Sequence, residues 1–597
     1  MCLSLGFNLS LRLTLFSNQL GHVSDDFGLI LTNSRLPQGG AFWSRLLADE
    51  PLFLLFDAVR VAVLGTNPWP HHLFLGLLLS VNAALAFALV WRLSGSALFA
   101  TSFLVLLVTL PGHSEAEYWI SSPYAWLRLW LLASGHLTVS WLQNGGRWRY
   151  AGLWLCYAVA VFTHEAALGF AAVLFVLWLL WARTRSLGRA TRMLGPLVLT
   201  NLAYLALRQT QWFGWGYAGL AAERKIQLAS VGINLKVVIS QTFGADFLGT
   251  TADLIRVASS EGASLIPATA VLVAALWAVT RVEAPRRQTG WLGRGMLLTL
   301  ILVGASGLYA AAPAFPQPFG TLHTLLRGAT IVFLVSIAWH WFRGRSQPGS
   351  GSAIPRLMAL GAAWFLFAVA ANLLWYVASR HYYIPSVGVA LLLAGVLYWP
   401  AQVAPAGRRR DLLTGAALLA TALIGGCFHL ARLGEAHHWV QASRYTRSLE
   451  AQLRSQLEGI PHHATLVVLD LPDMLGPAPL LPPWGLRDAA RCWFRDPGLA
   501  AGAALMPATG HFRIDPPTYP AEAHYENLLL FTFRGEVLER VGELVLERPR
   551  EPPLTVRLAD GNGLRLHVKE GAWISRSGVR SESRPPEVRR AAADLEP

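Results

Sequence analysis

The sequence predicts an all-α polytopic membrane protein of about 12–13 transmembrane helices, followed by a small C-terminal α/β extracytoplasmic domain. Three observations predict it. Hydrophobic residues make up 54% of the 597 and charged residues only 14%, where a soluble domain carries about 25% charged. Mean hydropathy is +0.41. Apolar runs recur as far as position 431, and the composition then turns polar. The four cysteines, Cys2, Cys156, Cys427 and Cys492, are scattered with no CxxC spacing, so neither a disulfide framework nor a thiolate metal site is indicated.

Taken in order, the first 20 residues form a weak helix candidate, because Asn8, Arg12, Asn18 and Gln19 interrupt it. They lack the basic start, apolar core and small-residue cleavage site of a signal peptide. Residues 41–64 are apolar but broken by Arg45, Asp49, Glu50, Pro51, Asp57 and Arg60. They read as one or two amphipathic helices lying in the interface, within an outer loop at 21–69. Spans follow near 70–91, 97–111, 123–142, 150–163, 166–182, 193–210, 263–280, 291–312, 322–342, 356–378, 382–399 and 411–431. The transmembrane domain therefore covers 1–435, the extracytoplasmic domain 436–575, and 576–597 is a polar, disordered tail. In the extracytoplasmic domain, 438–459 reads as an amphipathic helix and 465–471 and 527–533 as strands. Residues 554–558 and 564–568 flank Asp560-Gly561-Asn562-Gly563, a hairpin-turn signal.

The net charge of +14 comes almost wholly from arginine, since Lys225, Lys236 and Lys569 are the only lysines. The arginines form no single basic face, so nucleic acid is not an expected partner. Instead they cluster in alternate loops: Arg147 and Arg149; Arg183, Arg185, Arg189 and Arg192; Arg281, Arg286, Arg287 and Arg294; Arg343, Arg345 and Arg356; Arg408, Arg409 and Arg410. Cytoplasmic loops are the basic ones. The other loops, which hold the acidic and histidine motifs, then face outward, as does the tail after 431. The expected location is an integral membrane protein of the cell envelope, in a bacterial inner membrane with its active site outside the cytoplasm.

Four outward motifs carry candidate chemistry. Asp25-Asp26 offers a general base for an acceptor hydroxyl; the structural alternative is a solvated pair. His113-Ser114-Glu115-Ala116-Glu117 offers an imidazole and two carboxylates, which suit a divalent cation at Glu115 and Glu117 or plain helix capping. His164-Glu165 opens a span, where a carboxylate is favoured by the helix dipole in any case. Arg380-His381 also opens a span. A cation is disfavoured there, and the guanidinium fork suits phosphate.

The order of these motifs resembles the GT-C superfamily of integral-membrane glycosyltransferases. The likeness is to the protein O-mannosyltransferases with transmembrane and tetratricopeptide-repeat regions and to their bacterial relatives, without the repeats. It is carried by Asp25-Asp26-Phe27, by Gly65-Thr66-Asn67-Pro68-Trp69-Pro70-His71-His72, by Pro111-Gly112-His113 through Ser121, by Thr163-His164-Glu165-Ala166-Ala167, and by Arg380-His381-Tyr382-Tyr383-Ile384-Pro385-Ser386. It spans about residues 22–400. The chain has Glu50-Pro51-Leu52 where the family commonly has Arg-Pro-Leu, and His164 where it often has lysine.

The resemblance implies a transferase that takes sugar from a polyprenyl-phosphate donor. It implies Asp25 or Asp26 as catalytic base and Arg380, helped by His381, as the donor phosphate contact. His113, Glu115, Glu117, His164 and Glu165 would be the supporting polar site. The expected partners are the lipid-linked sugar, an acceptor glycan, lipid or protein, and the bilayer. The alternatives are a transporter or lipid-carrier flippase, an O-antigen ligase or polymerase, and a structural or assembly protein.

Overall fold

The computed structural model describes residues 20–23, 26–27, 30, 51–112, 114–182, 186–209, 353–373 and 379–457. Beyond these it describes 465–472, 474–476, 478–481, 483–495, 500–504, 511–513, 528–534, 536–548, 551–557, 573–575 and 580–581. Several expectations lie outside the described residues: Asp25, His113, the helix before 20, residues 41–50, the spans at 263–280, 291–312 and 322–342, the turn at 560–563 with the strand after it, and most of the tail. The chain divides into two units, Met1–Asn18 with Leu36–His437, and Gln19–Arg35 with His438–Pro597.

The first unit is helical. Its helices are α1 (Pro51–Leu64), α2 (Pro68–Ser94), α3 (Ala97–Thr109), the short α4 (Ser114–Tyr118), α5 (Tyr124–Asn144), α6 (Arg147–Thr163), α7 (Phe170–Trp181), α8 (Leu187–Gln209), α9 (Ala353–Leu373), α10 (Ser386–Val403) and α11 (Arg408–Gln456). Single 3-10 turns, Glu165–Ala167 and Ser379–Tyr382, precede α7 and α10. Among the described residues, four helices are long and apolar enough to cross a membrane: α2, most of α8, most of α9, and α10.

Local chemistry sets the helix ends. Asn67 caps α2 by accepting the Trp69 N–H at 3.0 Å, with proline at the first helical position, where its missing N–H is no loss. Gly95, at φ 69°, ends α2, and Ser96 starts α3 by accepting the Phe99 N–H. α5 turns back into α6 through Gly145 and Gly146, both at positive φ.

Lipid is as apolar as leucine, so helices in a bilayer associate through close packing and interhelical hydrogen bonds. Both are present. Gly361 and Gly388 bring α9 and α10 so close that a β-carbon on Gly388 would lie 2.4 Å from the Gly361 carbonyl oxygen. Asn82 of α2 donates to the Ala125 carbonyl, Ser102 of α3 bonds the Tyr398 hydroxyl, and Trp364 donates to the Ile384 carbonyl. Leu106, Leu127, Leu131 and Leu174 are fully buried at the centre. Leu155, Leu199 and Leu366 are 60–65% exposed on the outside, where acyl chains would cover them.

The helix ends segregate by chemistry. At one end Arg92 bonds Gln143 and Ser140, and the Tyr150 hydroxyl donates to the Arg192 carbonyl. At the other, α4 packs against the Ser379–Tyr382 turn, which brings Glu115 to Arg380.

One element differs from expectation. The span at 411–431 and the amphipathic helix at 438–459 are a single 49-residue helix. The intervening Arg432 and Glu435 do not break it, because both charges find partners within the first unit, described below.

The second unit is built on a mixed sheet. Its strands are β1 (Thr465–Leu469), β2 (Met474–Leu475), β3 (Ala478–Pro479), β4 (Ala500–Ala504), β5 (His511–Arg513), β6 (Leu528–Arg534), β7 (Val537–Arg548), β8 (Glu551–Arg557), β9 (Trp573–Ser575) and β10 (Arg580–Ser581). β1 pairs parallel with β4 and β6, and β6 turns antiparallel into β7. Helix α12 (Pro483–Phe494) makes the crossover from β1 to β4. It buries Leu486, Ala489, Ala490 and Trp493, one stripe at helical spacing. β8 pairs with β7, so the segment expected to open a hairpin closes one with the strand before it.

Candidate functional site

The segment between α3 and α5 carries the site. Glu115 and Glu117 sit in the single turn of α4 and are 7% and 4% exposed. Each holds an arginine from far along the chain. A Glu115 carboxylate oxygen lies 2.7 Å from Arg380 Nη1, and the Arg380 guanidinium also lies over the Trp119 ring, 5.1 Å from its centroid. Glu117 pairs with Arg432 Nη2 at 2.5 Å. Arg432 is 3% exposed. One turn further along α11, Glu435 accepts the Gly112 N–H at 2.8 Å.

Burial pushes the Glu435 carboxyl up to about 7, and the Glu117 charge adds to this, while the Gly112 bond and Arg432 oppose it. Two carboxylates share one buried guanidinium, and desolvation disfavours charge on the second.

The histidines meet around one ring. Tyr124, fully buried at the start of α5, lies 4.8 Å from the His164 ring and 5.7 Å from the His381 ring, centroid to centroid. His164 is fixed by its own backbone role. Its Nδ1 accepts the Ala166 N–H at 3.0 Å and caps the turn before α7, so a neutral ring carries its proton on Nε2. Glu165 accepts from the Tyr204 hydroxyl at 3.4 Å.

The structure therefore brings Glu115 to Arg380, and His164 and His381 to Tyr124. It sends Glu117 to Arg432 and Glu165 to Tyr204. Among the described residues no three metal-capable side chains come together, and Glu115 and Glu117 each pair with a guanidinium.

Asp26 belongs to the second unit. It is 2% exposed, and its carboxylate accepts the Val23 N–H at 3.1 Å. Next to it, Phe27 packs edge-to-face on Trp493 of α12.

Three residues here escaped the sequence reading. Arg432 and Glu435 looked like the polar break after a span. Arg128 looked like part of an apolar run, yet it is 4% exposed, donates to the Ser386 hydroxyl at 2.8 Å, and lies 4.0 Å over the Tyr383 ring. The available signal was an arginine one turn inside a span, which is rare and marks function in membrane proteins. No family model matches the chain, and no curated protein matches it.

Proposed function

We propose that this chain is a polytopic membrane glycosyltransferase that moves a sugar from a polyprenyl-phosphate donor to an acceptor hydroxyl, with inversion, on the extracytoplasmic face. The reading extends to about 12–13 spans, with the second unit outside the cytoplasm. The observation that carries it is the guanidinium of Arg380, held at a helix start by Glu115 and flanked by His381. That is the chemistry a phosphate leaving group needs. The arginine-rich ends of the helices support the orientation.

Arg380 and His381 hold the phosphate of the donor. Asp25 or Asp26 accepts the proton of the acceptor hydroxyl. The hydroxyl oxygen bonds the anomeric carbon as the carbon–oxygen bond to phosphate breaks, and the electron pair leaves with the lipid phosphate. General-base help contributes about 10²–10⁴-fold, and stabilising the leaving group supplies much of the rest. Guanidinium groups supply cationic charge at this end of the bundle. His164, Glu165 and the Glu117–Arg432 pair shape the wall around it.

Exchanging Asp25 and Asp26 for asparagine, singly and together, tests the base. Sugar transfer should fall at least about 10²-fold in the double variant, while lipid-phosphate binding persists; undiminished transfer rejects the assignment. A lipid-carrier flippase would use the same anion site and form no new glycosidic bond.

A further inference from the structure

Arg128 is one of three buried arginines among the described residues, with Arg60, which pairs with Asp57, and Arg432; its surroundings differ from those of Arg380 and Arg432. Those two each hold a carboxylate. Arg128 holds none: among the described residues no Asp or Glu lies within ion-pair distance of it. Its contacts are the Ser386 hydroxyl and the face of Tyr383. Its Nε–H is buried and has no hydrogen-bond partner among the described residues. A guanidinium taken out of water needs a negative charge or a full set of acceptors, and one hydroxyl and one ring are neither.

Its position adds a second observation. Ser386 is the first residue of α10, an 18-residue helix, so Arg128 points a full positive charge at the positive end of a helix dipole. That arrangement repels unless an anion lies between them. Arg128 also lies one helical turn from Tyr124, whose ring touches His164 and His381, about 6 Å deeper along α5. Asn82 lies on the other side, donating to the Tyr383 hydroxyl at 3.4 Å.

We propose that Arg128, with the start of α10 at Ser386, is a second phosphate-binding group, which takes a phosphate oxygen on its buried Nε–H in the layer just inside Arg380 and His381. The phosphate class rests on the transferase reading above; the anion site itself does not. The shared chemistry is a phosphate monoanion or dianion, carried either by a polyprenyl lipid or free.

The test is binding to the full chain in nanodiscs, titrated with undecaprenyl phosphate, with undecaprenol, and with inorganic phosphate. The native protein should bind undecaprenyl phosphate, and Arg128→Gln should weaken that at least about 10-fold, the size of one lost charge-assisted hydrogen bond. Undecaprenol should bind equally to both. A matching loss for inorganic phosphate assigns the site to free phosphate, and a loss confined to the lipid assigns it to the headgroup. Equal affinity of Arg128→Gln and native protein for both phosphates overturns the proposal. A solid-state ¹⁵N–³¹P contact between Arg128 Nε and the lipid phosphate, read on native protein and assigned by its loss in Arg128→Lys, covers the case in which Arg128→Gln does not fold; no such contact also overturns it. Binding that depends on Arg128 without any sugar transfer would sink the transferase reading and leave this site standing.

Discussion

Glu115 and Arg380 lie 265 positions apart in the chain, yet a carboxylate oxygen of one is 2.7 Å from a guanidinium nitrogen of the other. This pair joins the segment after α3 to the turn before α10. It fixes the arginine without exhausting it: Arg380 keeps 21% of its side chain exposed against 9% for Glu115.

A double-mutant cycle on Glu115→Gln and Arg380→Gln should therefore show a real but partial coupling. Fully buried pairs cost about 3–5 kcal/mol to break. With the arginine partly open, about 2 kcal/mol is expected here. Denaturant unfolding in mixed micelles reads it, and additive single effects would show that the two side chains do not interact.

The Glu117–Arg432 pair is more deeply placed, with side chains 6% and 3% exposed. Glu117→Gln should cost roughly 3–5 kcal/mol, because it removes the carboxylate in direct contact with a buried guanidinium and leaves only the more distant Glu435 to offset its charge. Adding Arg432→Met to that variant should recover much of the loss in the same unfolding experiment. A double variant less stable than Glu117→Gln would mean that the arginine is held by other groups.

Glu435 gives a pH dependence of definite sign. It lies four residues beyond the apolar run that ends at 431, and its carboxyl is raised from 4.5 to about 7 in the fold. Between those values the folded chain keeps a proton that the unfolded chain has lost, so stability falls as pH rises and levels off above about 7. The swing is on the order of 3 kcal/mol. Glu435→Gln should flatten the profile between pH 4.5 and 7. Unfolding midpoints across that range check it, and an unaltered slope in the variant would place the titration elsewhere.

Gly388→Ala should loosen the α9–α10 contact. The added carbon would meet the Gly361 carbonyl at 2.4 Å and the Phe365 nitrogen at 2.6 Å, both rigid backbone. Overpacking of this kind costs about 1–3 kcal/mol. Gly415→Ala, with nothing within 4 Å of the added carbon, is the control. Thermal inactivation in detergent should rank Gly388→Ala well below both native protein and the control.

Helix positions were legible wherever an apolar run ended in a clear cap. Asn67-Pro68 opens α2 and Gly95-Ser96 divides α2 from α3, and the residues carry those signals by themselves. The length of α11 was not legible, because Arg432 and Glu435 read as a polar break until Glu117 and Gly112 are seen beside them. The same limit applies to Arg128: its partners Ser386 and Tyr383 lie more than 250 residues away, and no local pattern announces them. In the site, the motif order pointed to Glu115 and Arg380 as residues of one outer face. It could not say that Glu117 turns away to Arg432, because alternate residues of a helical turn point in different directions.

The most direct test of the central claim is sugar transfer by purified protein in proteoliposomes, from a polyprenyl-phosphate-linked sugar, comparing native chain with Arg380→Gln. The native chain should form a new glycosidic bond with inverted anomeric configuration, and the variant should lose at least about 10²-fold. A native chain that forms no such bond with any lipid-phosphate sugar, or an Arg380→Gln variant as fast as native, would contradict that claim.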